Sequence, residues 1–93
     1  MSESRVAAIE AALSSALRPN ALLVKDQSHL HAGHAGARDG RGHFDVIIIS
    51  DAFEGQSRIH RHRMVYEAVG DLMQSDIHAL SISAYTTAER SEI

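Results

Sequence analysis

The sequence predicts a single α/β domain of the α+β kind, its elements running helix, strand, strand, helix, strand. Three observations carry this. Val6, Ile9, Leu13 and Leu17 recur at three- and four-residue steps, the spacing of one helical face. FDVIIIS, residues 44–50, is β-branched and apolar on both sides of its pleat, as a central strand must be. A second helical stretch then separates it from IHALSISAY, residues 77–85, which reads as the last strand.

The first helix is expected over residues 4–18, capped by Ser2 or Ser4 and stopped near Leu17 by Pro19, which disfavours helical geometry in the residue before it. ALLVKDQ, residues 21–27, reads as the first strand. A glycine- and alanine-rich loop follows over 28–42, with little to pack and so expected to be mobile. After the central strand, DAFEG (51–55) is a turn. Ser57 stands where an N-cap belongs, ahead of RIHRHRMVYEAVGDLMQ. The buried stripe of that helix is expected to be Ile59, Val65, Tyr66, Val69, Leu72 and Met73, with Gly70 inside the helix and weakening it slightly. TTAERSEI is a polar tail with at most a helical turn.

Connections turn this order into a topology. The second and third strands are joined through a helix, and such crossovers make parallel neighbours. The first two are joined by a loop and are expected to be antiparallel. The outcome is a three-stranded mixed sheet with helices on one face. In that arrangement the 28–42 loop enters the second strand at the same end of the sheet as His78, which starts the third. FEGQS and RIHRHR fall toward the other end.

Composition narrows the function. The chain has 93 residues, no cysteine, 9 Lys+Arg against 12 Asp+Glu, and a net charge of −3 with histidines neutral. One domain spanning 1–93 is expected. MSESRVAAIEAAL lacks the pattern of a signal peptide, and no apolar run approaches the ~18 residues of a membrane span. The expected location is the cytoplasm. An acidic balance works against a long phosphate interface, although RIHRHR at 58–63 is locally basic. No nucleophile elbow, phosphate loop, HExxH pair or dinucleotide fingerprint is present, so an enzyme is not expected.

Histidine is where the chemistry concentrates. His29, His31, His34 and His43 all fall in SHLHAGHAGARDGRGHF, residues 28–44. Neutral imidazole ligates iron, zinc and copper. A two-iron cluster is held by four ligands, and two histidines can replace two thiolates on one iron. A chain without thiols could serve one iron and would need a partner's thiolates for the other, so the missing cysteine fits a shared site. His43 opens a strand and is read as serving the fold. His62 is read as a packed helix histidine. Arg61 and Arg63 are expected to be exposed. Asp45, Asp51 and Glu54 read as ordinary solvation around a strand and a turn.

HFDVIIIS, DAFEGQS, RHRMVY and IHALSISAYT, in that order, resemble the signature blocks of BolA-like proteins, and SHLHAGHAG is similar to the loop of a subgroup that carries histidine there. The resemblance covers roughly residues 5–87. It implies a fold like the type II KH domain and partnership with a monothiol glutaredoxin. The pair would hold a two-iron two-sulfur cluster together with glutathione, while the isolated chain, expected to be a monomer, carries none. Family ligands map onto His78, in IHAL, and onto His34, in AGHAG, with His31 and His29 as weaker candidates. Cluster trafficking or assembly, or iron-dependent regulation, is the implied role. The alternative is a DNA-binding transcriptional regulator using the basic helix through Arg58, Arg61 and Arg63. KH-style RNA clamping uses a GXXG loop, and FEGQS lacks the second glycine.

Overall fold

Helix α1 (Ser2–Leu17) forms on the expected stripe: Ile9, Leu13 and Leu17 are buried and Val6 packs beside them. It ends where Arg18 takes a positive φ of 44° and Pro19 supplies no donor. The computed structural model describes residues 2–27 and 42–93. The expected mobility of the 28–42 loop, and the positions of His29, His31 and His34, therefore lie outside the described residues.

Strand β1 (Ala21–Asp26) pairs antiparallel with β2 (Gly42–Ile49), Ala21 opposite Ile49 and Asp26 opposite Phe44. Strand β3 (Ile77–Tyr85) lies parallel to β2 on its other side, so the sheet order is β1-β2-β3. Both strand relations agree with the sequence reading. Phe44, Val46 and Ile48 alternate onto the helix-covered face of β2 and join Ile9, Leu13, Val65, Val69 and Ile77 in one core. β2 begins two residues earlier than expected, and Ser50 falls outside it. That buried serine donates from its hydroxyl to the Leu17 carbonyl at 2.6 Å and accepts from the Ala52 N–H at 3.1 Å. It thereby ties the end of α1 to a 3₁₀ turn, Asp51–Phe53.

The second helix is shorter than its hydrophobic pattern suggests. α2 (Arg58–Val69) starts at the expected Ser57 cap, whose hydroxyl accepts the His60 N–H at 3.1 Å. It ends at Gly70, which adopts φ 53° and ψ −124°. Only glycine enters that region without strain, so Gly70 terminates the helix and does not sit within it. A four-residue helix α3 (Leu72–Ser75) then leads into β3. Two members of the expected stripe are also corrected. Ile59 is 75% exposed, because it lies in the first turn, beyond the edge of the core, and Tyr66 is 41% exposed, its hydroxyl donating to the Leu80 carbonyl at 3.4 Å. Val65 and Val69 are the buried positions of α2.

The polar tail is more than a trailing end. Thr86 and Glu89 cap each other: the Thr86 N–H donates to the Glu89 carboxylate at 2.9 Å and the Glu89 N–H to the Thr86 hydroxyl at 3.3 Å. Thr87 donates to Asp51 at 2.6 Å. This fold brings the end of the chain onto the turn after β2.

Candidate functional site

Strict alternation along β3 would put His78 on the same face as Leu80. Leu80 is buried in the core, yet His78 is exposed. The register resolves this. Gly42 pairs with Ile77 and His43 with Ala79, leaving His78 as an extra residue in a bulge. Ile77 and Leu80, three apart, can then both reach the core, and the bulge turns His78 out of it. Its ring lies with its centroid 5.1 Å from that of His43, the planes tilted by 44°.

The backbone around this pair is fixed on both sides. Gln27 N–H donates to the His43 carbonyl at 2.8 Å, and Gly42 N–H donates to the Asp76 carbonyl at 3.0 Å. The Gln27 side chain donates to Asp45 at 3.1 Å, and Arg5 of α1 pairs with Asp76 at 3.5 Å. Gln27 and Gly42 are also the two flanks of the 28–41 segment, and both flanks stand at the sheet end that carries His78. His43, read from the sequence as a fold residue, is thus the described imidazole beside His78. The signal for it was present: apolar residues spaced three apart in IHAL break the two-residue period of a strand and mark a bulge.

The opposite end of the sheet holds the basic segment, and there Arg61 departs from expectation. Its side chain is only 13% exposed. Its Nε donates to the Gln56 carbonyl at 2.9 Å, and its Nη1 to the Ala84 carbonyl at 3.2 Å. Both terminal nitrogens meet the Glu89 carboxylate, at 2.6 and 3.1 Å, and the guanidinium lies 6.0 Å from the Phe53 ring centre. A guanidinium forked onto a carboxylate and two carbonyls joins three elements and has little left for phosphate. Glu89 is held down to about 2, first by the Arg61 hydrogen bond and then by the Thr86 N–H. Arg61 is raised correspondingly, chiefly by the Glu89 hydrogen bond. Arg58 and Arg63 remain exposed. His62 is half-buried and lines, with Arg58 and Ile82, a groove between α2 and the edge of β3.

These features define a class: a small α+β domain with a mixed sheet, one end presenting imidazoles and the other locked by an arginine. A family model described as BolA-like protein matches residues 13–89. The chain belongs to the BolA-like family. It is 46% identical over 91 residues to SufE-like protein 1, chloroplastic/mitochondrial, of Arabidopsis thaliana, covering 92% of this chain but only 24% of that longer protein. It is 37% identical over 81 residues to the DNA-binding transcriptional regulator BolA of Escherichia coli (strain K12), covering 87% of this chain and 74% of that one. Among solved structures, the BolA domain of SufE1 from Arabidopsis thaliana superposes with a TM-score of 0.82 at 44% identity, covering 92% of this chain and 95% of that one. Among the described residues, no helix is long and apolar enough to cross a membrane.

Proposed function

We propose that this protein is the histidine-donating partner of a monothiol glutaredoxin and that the two share a two-iron two-sulfur cluster, with glutathione, for cluster trafficking, assembly or iron-dependent regulation in the cytoplasm. The observation that carries the reading is the outward turn of His78 at a bulge, next to the flanks of the histidine loop. The absence of cysteine supports it: imidazoles of this chain can serve one iron, and the other must be held by thiolates from elsewhere. His78 is the first ligand in this reading and His34 the second, with His31 or His29 as substitutes from the same loop.

The test is a titration with cluster-loaded monothiol glutaredoxin followed by visible circular dichroism. His78→Ala is expected to remove the histidine-ligated signature while the fold survives, since an exposed bulge residue carries little packing. His34→Ala is expected to weaken the complex less. His34→Cys should keep a cluster and lower its reduction potential, because thiolate places more negative charge on iron than imidazole does. A wild-type spectrum and affinity for His78→Ala would end this reading.

One relative's name, DNA-binding transcriptional regulator, supports a second reading, and Arg58 and Arg63 are exposed on one short helix. In that case Arg58→Ala with Arg63→Ala should reduce duplex affinity and flatten its salt dependence by roughly two phosphate contacts. Arg61 is unsuitable for this comparison, since its guanidinium is engaged by Gln56, Ala84 and Glu89 and its loss is expected to destabilise the fold.

A further inference from the structure

The cluster reading employs His78 and leaves His43 idle, although the two rings are neighbours. An imidazole nitrogen binds zinc at about 2.0–2.1 Å, which puts the ion roughly 3.2 Å from the ring centre. Two imidazoles on one tetrahedral ion therefore have centres roughly 5 Å apart. The observed separation is 5.1 Å. The spacing of the two rings therefore matches that of two imidazoles on one ion. Both residues stand on paired strands whose backbones are tied by Gln27 and Asp76, and ligands on rigid elements lose little freedom on binding. Each ring has two nitrogens, so one can ligate while the other keeps a hydrogen bond.

We propose that His43 and His78 form a two-imidazole site for a late first-row divalent ion, zinc or copper, on the isolated chain. Water completes the coordination. The site needs no thiolate, no partner and no loop histidine, so it does not rest on the cluster reading. Occupancy would engage His78 and set the ion in competition with any ligand that His78 gives to a partner's metal.

The experiment uses the full chain labelled with ¹⁵N-histidine and titrated with zinc chloride. Imidazole nitrogen resonances and calorimetry are followed for wild type, His43→Ala, His78→Ala and His34→Ala. The His43 and His78 ring nitrogens are expected to shift together and saturate at one equivalent. His43→Ala and His78→Ala should each weaken zinc binding at least tenfold, with His34→Ala within twofold of wild type. Zinc that shifts loop histidines and leaves His43 unmoved, or that does not bind, overturns the proposal. So does a loss in His34→Ala equal to that in His43→Ala. Should His43→Ala fail to fold, the wild-type ring shifts decide alone. His43→Ala is also titrated with cluster-loaded glutaredoxin, where it should give the wild-type visible spectrum. That arm separates failure of the zinc site from failure of the cluster reading.

Discussion

Arg61 shows how a residue that reads as surface charge becomes a structural joint. Truncating it leaves the Gln56 and Ala84 carbonyls and the Glu89 carboxylate without this donor. Hydrogen bonds to charged groups contribute ~1.5–3 kcal/mol each when lost, partly relieved here by water reaching Glu89. Arg61→Ala is therefore expected to destabilise the fold by about 2 kcal/mol, against at most about 0.5 kcal/mol for the exposed Arg63→Ala. Urea unfolding of the two variants measures the difference, and equal midpoints would contradict the assigned role. The sequence hid this because RIHRHR looks uniform in charge. The distinguishing partner lies 28 positions away, in the T-x-x-E pattern of Thr86 to Glu89.

At the scale of elements, a single glycine divides what the hydrophobic pattern presents as one helix. A Cβ on Gly70 would meet only the Glu67 carbonyl, at 3.7 Å, which is ordinary contact. The obstacle is the backbone, whose φ of 53° and ψ of −124° suit glycine alone. Gly70→Ala is thus expected to cost about 1–3 kcal/mol through strain and not through crowding. Thermal unfolding should show a lowered midpoint, and a raised one would place Gly70 inside a continuous helix after all. The β3 bulge is the companion case. Pattern reading located the strand to the residue, yet the extra residue at His78 decides which way a candidate ligand points.

Across the whole molecule, the Arg61–Glu89 pair couples acid sensitivity to the closing of the chain end. Glu89 ionises at about 2 in the folded protein, below its ordinary 4.5. Between those values the unfolded chain binds a proton that the folded one does not, so stability rises with pH there. The contribution is complete above about 4.5 and is lost as pH falls toward about 2. Glu89→Gln should remove that part of the pH dependence. Denaturation curves recorded from just above the ordinary 4.5 of Glu89 down to its folded-state value of about 2 should therefore converge for variant and wild type at the acid end and diverge at the upper end. Parallel curves would show that Glu89 is not linked to folding.

The sequence by itself determined the element order, the sense of both strand pairings, the core stripe of α1 and the identity of the family, because each rests on local periodicity or on blocks contiguous in the chain. It also brought the flanks of the histidine loop and His78 to one end of the sheet, since two parallel strands joined through a helix start at the same end. Tertiary structure decided the rest. Whether Arg61 faces solvent depends on Glu89 and Ala84, and whether His78 faces solvent depends on a register shift against Gly42 and His43. The neighbourhood of His43 and His78 spans 35 positions and exists only once β2 and β3 pair in parallel. Contacts of that kind carry no local periodicity, so they become visible only when the strands are laid side by side.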